Sequence, residues 1–149
     1  MMSHTDFQTA KNFIFADIQR ELDMANSDVG SGNFLVALGL LCYTEFAGSL
    51  IPSVGSGSRT KFDTFFDRLG EGYRSLRGSH NVYNIFRCGL AHEYFVKKNC
   101  TVSVTATPNG SPGVGLQSNG SYYFANSNYF NDFKKAFEDL ERELYPASM

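Results

Sequence analysis

A mainly α-helical single domain, with a small β insertion before its last helix, is the fold class this sequence predicts, and three observations predict it. Apolar residues recur at helical spacing through most of the chain. The stretch from Thr101 to Thr105 switches to alternation, the period of a half-buried strand. Between two later strand-like stretches, Asn119-Gly120 supplies the strongest short hairpin signal. A chain of 149 residues, 42% hydrophobic and 19% charged, can bury roughly two-thirds of its unfolded surface and so build a core without staples.

Taken in order, Asp6 to Asn26 reads as a first helix with Phe7, Ala10, Phe13 or Ile14, Asp17 or Ile18, and Leu22 along one stripe. A second runs from about Asn33, a plausible N-cap, to Leu50, with Pro52 beyond its end, and is expected to be the most buried. Although Phe34 to Ile51 is largely apolar, it holds Thr44 and a central Glu45. An acid there is costly in hydrocarbon, so a core helix is the better reading than a membrane span. After the Gly/Ser connector at 53–58, residues 60–77 form a third helix with Phe62, Phe65 or Phe66, and Leu69 inward, weakened by Gly70 and Gly72. Ser79 can cap a fourth, extending to Lys98 and burying Val82, Ile85 or Phe86, and Leu90. Strands near Thr101–Thr105, Gly113–Gln117 and Ser121–Ala125 make a three-stranded antiparallel meander, an insertion over about 100–125. A fifth helix, from Ser127 or Asn128 to about Tyr145, places Phe130, Phe133, Phe137, Leu140 and Leu144 inside and stops at Pro146.

Composition narrows the function. Cys42, Cys88 and Cys100 are odd in number and lack CxxC spacing, which argues against a disulfide framework and a zinc site and fits a reducing cytoplasm. The first residues lack the basic and apolar regions of a secretory signal. Neither GSG loop is followed by Lys-Ser/Thr, so neither is a P-loop. No metal or cofactor is expected. A net charge of -2 excludes a globally basic nucleic-acid binder, but residues 59–98 carry eight Lys/Arg against four acids. That balance fits either a local basic face or charges scattered over two solvated helix faces.

Chemistry concentrates in the fourth helix, where Arg87, His92 and Tyr94 fall within eight residues. On an α-helix Arg87 and Tyr94 project almost together, while His92 points roughly 140° from Arg87. A guanidinium suits bidentate recognition of phosphate, and an imidazole moves protons near neutral pH. Together they suit metal-free cleavage of an RNA phosphodiester, with Arg87 and His92 as the catalytic pair. Tyr94, Arg77, Lys97 and Lys98 are the candidate substrate contacts. The plainer readings are an ion pair between Arg87 and Glu93 or another acid, a hydrogen-bonded core His92, and a packing Tyr94. Cys88 and His92 share a helix face but no second metal-ligand pair is evident, and a Cys88 nucleophile would need a thiolate-stabilising setting.

The arrangement Arg87, His92, Tyr94 resembles the R-x4-H-x-Y form of the signature of the HEPN superfamily. That resemblance implies a bundle of four or five helices that dimerises and brings two Arg/His sets into one cleft. It also implies metal-independent endoribonuclease activity of the toxin or defence type, with RNA as substrate and a nucleotidyltransferase antitoxin as partner. The position after the arginine, commonly Asn, Asp or His in ribonuclease members, is Cys88 here. A thiol orients neighbouring groups more weakly, which keeps open the alternative of a non-catalytic HEPN-like dimerisation or protein-interaction module.

Overall fold

A computed structural model describes residues 1–27, 33–93, 100–105 and 110–146, except for the side chains of residues 33, 92 and 93. The first helix, α1 (His4–Ala25), starts two residues before the expected Asp6. The Ser3 hydroxyl accepts from the Asp6 backbone N–H at 3.1 Å and donates to the Asp6 carboxylate at 2.8 Å, so the first turn is capped. Phe7, Ile14, Ile18 and Leu22 are its buried stripe, which leaves Phe13 facing out at 67% exposure. Helix α2 (Asn33–Ser49) buries Val36, Ala37, Leu40, Leu41, Thr44 and Ala47. It is not enclosed all round, because Leu35 is 60% exposed and Cys42, Tyr43 and Glu45 are half-buried.

The single third helix expected over 60–77 is two helices. Helix α3 (Ser58–Phe66) tightens into a 3₁₀ turn over Asp67–Leu69 and stops at Gly70, and α4 (Glu71–Ser79) follows. Gly70 has φ 146° and ψ 176°, a conformation essentially closed to residues with a Cβ, so it breaks the helix rather than merely weakening it. Phe62, Phe65 and Phe66 are all buried. The α2–α3 crossing is very close: a Cβ on Gly48 would lie 1.8 Å from the Lys61 carbonyl oxygen.

His80 is extended, so the next helix is capped by Asn81, whose side-chain oxygen accepts from the Asn84 N–H at 3.2 Å, and not by Ser79. It opens with a π-helical turn over Tyr83–Cys88 that runs directly into α5 (Gly89–Glu93). The remainder of the expected fourth helix, with Tyr94, Lys97 and Lys98, lies outside the described residues.

The small sheet is present where expected, but it is not an antiparallel meander. Strands β1 (Thr101–Ser103), β2 (Val114–Leu116) and β3 (Tyr122–Ala125) lie in the order β1-β3-β2, with β1 parallel and β2 antiparallel to β3. The most apolar strand takes the centre: Tyr122, Phe124 and Ala125 are buried, while the Thr- and Ser-bearing β1 occupies an edge. The Asn-Gly hairpin forms with a three-residue loop, Gly120 at φ 82° and the Gln117 N–H bonded to the Ser121 carbonyl at 2.8 Å.

Helix α6 (Asn126–Leu144) then closes the core. Its Phe133 meets Phe65 with ring centroids 5.4 Å apart, and its Phe137 stacks on Phe7 at 4.6 Å. Tyr129, fully buried, donates to the Thr44 hydroxyl at 2.7 Å, which itself donates to the Leu40 carbonyl at 2.8 Å. Among the described residues, no helix is long and apolar enough to cross a membrane.

Candidate functional site

Arg87 stands near the end of the π turn, and that turn sets its direction. A π turn advances through a smaller angle per residue than the ~100° of an α-helix, so it re-aims the side chains that follow. Tyr83 and Cys88, five residues apart, interact through hydroxyl and thiol, while Ile85 and Phe86 are buried. Arg87 is directed at α2, where its Nε lies 3.7 Å from Glu45 Oε1.

The contact is an ion pair without a hydrogen bond, since 3.7 Å exceeds N–H···O reach. Both atoms are buried, and neither has a hydrogen-bond partner among the described residues. Cys42, one turn before Glu45 on α2, senses both charges. Burial raises its thiol pKa, Arg87 opposes the rise and Glu45 adds to it. Burial also raises the Tyr83 hydroxyl, helped by Cys88 and Glu45 and opposed by Arg87. The site thus consists of Cys42 and Glu45 from α2 and Tyr83, Arg87 and Cys88 from the π turn. It provides a fixed cation, a carboxylate beside it, and an unmade hydrogen bond on each.

His92 lies five residues beyond Arg87 on the same helical run, with its backbone in α5 and its side chain outside the described portion. Tyr94, Lys97 and Lys98 also lie outside it. Arg77, on α4, grips Asp67 with two hydrogen bonds of 2.5 and 2.8 Å and is influenced by Asp63; its partners are these acids and not Glu45.

Among the described residues, the local positive balance is largely neutralised by pairing. Arg59 pairs with Asp63, Arg68 with Glu143, Arg74 with Glu71, Arg77 with Asp67 and Arg87 with Glu45. Two of these acids, Glu45 and Glu143, come from outside residues 59–98, which is why a segment count overstates the basic face. No group of three or more His, Cys, Asp or Glu that could hold a metal occurs among the described residues. Cys100 is a poor nucleophile, because burial pushes its thiol up to about 12.

Glu45 is the site residue that the motif does not include. A signal for it exists in the sequence, since it is the sole charged residue in the otherwise apolar and hydroxylated stretch from Phe34 to Ile51. A buried carboxylate in such a helix calls for a cationic partner.

The fold and site define a mainly α domain with a small mixed sheet and a partly buried arginine-carboxylate pair. No protein-family model matches the chain, and no curated protein or solved structure shows significant similarity to it.

Proposed function

We propose that the chain is a HEPN-like, metal-independent endoribonuclease of the toxin or defence type, acting as a homodimer in the cytoplasm. The observation that carries this reading is Arg87: half-buried, aimed by a π turn, with an unmade Nε hydrogen bond, and five residues before His92 on one helical run. π turns within helices recur at functional sites. Arg87 would hold the scissile phosphate and offset the charge that grows on its oxygens. An imidazole would take the proton from the ribose 2′-hydroxyl as the O2′–P bond forms. The P–O5′ bond breaks, the departing 5′ oxygen takes up a proton, and a 2′,3′-cyclic phosphate remains. RNA and a nucleotidyltransferase antitoxin are the partners this reading carries.

The test incubates wild type and His92→Ala with mixed RNA in EDTA. Cleavage by wild type alone, leaving 2′,3′-cyclic phosphate ends, is the expected result; intact RNA with both folded proteins sinks the reading.

A second reading, a non-catalytic dimerisation module, draws on a different observation. Phe13 projects beside an apolar groove of about 440 Å³ formed with Ala10, Ile14, Cys42, Tyr43 and Phe46. Two copies of α1 set antiparallel about Phe13 would place Arg20 of each opposite Asp6 of the other, a self-complementary arrangement. Under this reading Phe13→Asp abolishes the dimer in sedimentation, and RNA is not cleaved.

A further inference from the structure

We infer that Asn119 is a self-modification site: its carboxamide closes onto the Gly120 nitrogen, loses ammonia and leaves an aspartyl or isoaspartyl residue at the tip of the β2–β3 hairpin. The inference is independent of the RNA-directed reading and uses no residue of the Arg87 site.

Three features of the tip carry it. Asn119 precedes a glycine, so no side chain shields the Gly120 nitrogen, and residues 116–120 are all exposed. The Asn119 side chain folds back along the chain: its Oδ1 accepts from the Ser121 N–H at 3.0 Å, an Asx turn that brings the carboxamide alongside the Gly120 nitrogen. The Ser121 hydroxyl donates to the same Oδ1 at 2.6 Å, so two donors converge on one oxygen. Attack on Cγ drives negative charge onto Oδ1, and both donors bind it more strongly as it grows, as in an oxyanion hole. Gln117 Oε1 is a second acceptor for the hydroxyl proton at 2.8 Å, and the charge on Oδ1 draws that proton away from it.

The Gly120 N–H donates to the Gln117 carbonyl at 2.9 Å, so the reaction begins when that bond opens and hydroxide removes the proton. The nitrogen then forms a bond to Cγ, the Cγ–Nδ2 bond breaks, and Nδ2 departs as ammonia, leaving a five-membered succinimide. Water opens the ring at either carbonyl. Opening at Cγ gives Asp; opening at the main-chain carbonyl gives isoaspartate, which routes the chain through Cβ and Cγ and lengthens it by one carbon.

Either product puts a carboxylate on a hairpin that has no charged residue from Gly113 to Ala125. Isoaspartate also adds a chain atom inside the loop closed by the Gln117 N–H to Ser121 carbonyl bond of 2.8 Å. The next residue is Tyr122, 1% exposed, where the central strand enters the core and meets His80 Nδ1 at 2.7 Å. The change therefore loosens the strand that holds the sheet to the helices.

The experiment incubates wild type and Ser121→Ala in mildly alkaline buffer, folded and in urea. Peptide mass spectrometry follows conversion, and an isoaspartyl methyltransferase with labelled S-adenosylmethionine counts isoaspartate. Asn119 should convert in the folded protein at least as fast as in urea, and faster as the pH rises. Asn109-Gly110-Ser111 repeats the same three residues, so in urea the two sites should convert at similar rates. Ser121→Ala should slow Asn119 about threefold or more in the folded protein, less than at a buried oxyanion hole because the tip lies in water, and should leave its rate in urea unchanged. Wild-type rates in folded Ser121→Ala would overturn the inference. So would an Asn119 that stays intact in folded wild type while the unfolded chain converts, and that comparison decides alone if Ser121→Ala does not fold.

Discussion

Glu141 shows how much a single side chain can hold in this protein. It is 2% exposed, accepts from Lys11 Nζ at 2.5 Å and from His4 Nε2 at 2.8 Å, and so joins the start of α1 to the end of α6. The His4 ring lies stacked on Tyr145, centroids 4.5 Å apart. Burial alone would raise the Glu141 pKa, but the bonds from Lys11 and His4 outweigh it and hold the carboxyl below its ordinary 4.5. A group depressed in the folded state contributes stability above its ordinary pKa, and that contribution is lost as the pH falls through the folded value. Glu141→Gln should therefore cost about 2–3 kcal/mol at neutral pH by urea midpoint, since breaking a buried pair strands the remaining groups while His4 and Lys11 keep some solvent. The gap between wild type and variant should close in acid below pH 4.5; a gap that persists there would discount the ion pair.

Thr44 offers a companion test. Thr44→Val leaves the buried Tyr129 hydroxyl without its acceptor and should cost about 1–3 kcal/mol, whereas adding Tyr129→Phe should recover a large part of that loss. Additive costs in the double-mutant cycle would show that the two hydroxyls are not coupled.

At the level of elements, the closest fit is between α2 and α3. Gly48→Ala would drive a methyl into the Lys61 carbonyl, and rigid backbone on both sides leaves no flexible atom to give way. A loss of about 3 kcal/mol or more is expected in chemical denaturation; a neutral variant would mean the two helices separate easily. Gly70→Ala should cost about 1–3 kcal/mol through its backbone conformation alone.

These elements also show what the sequence made legible. The apolar stripe of α1 and the Phe130, Phe133, Phe137 and Leu140 face of α6 follow from periodicity, because long amphipathic helices state their buried side directly. The break at Gly70 was less legible, since a glycine lowers helix propensity by about 1 kcal/mol whether or not the chain turns there. Strand order was illegible for a different reason. Hairpin chemistry at Asn119-Gly120 specifies β2 against β3, but local residues do not say that β1 comes to the far side of β3 in parallel; burial of Tyr122 and Phe124 does. In the site, Arg87 and His92 are legible as a motif, while Glu45 is forty-two residues away from Arg87 and reaches it only through the packing of α2 on the π turn.

For the molecule as a whole, pairing of the arginines matters more than their number. With Arg59, Arg68, Arg74 and Arg77 each held by an acid, few cations of the described part of residues 59–98 are left to release counterions from a bound strand. RNA binding should depend shallowly on salt, with a log–log slope of about -1 to -3, and filter binding across a salt series would measure it. A slope of about -6 or steeper would require a broad basic surface and refute recognition centred on Arg87.

The placement of α6 has a consequence for synthesis. Phe7 of α1, Thr44 of α2 and Phe65 of α3 are covered by Phe137, Tyr129 and Phe133, all from a helix that leaves the ribosome after those three. Until that helix emerges, a nascent chain more than 120 residues long carries an aromatic core with one wall missing. Such a chain exposes the kind of apolar surface that chaperones shield, and α6 removes that exposure when it packs.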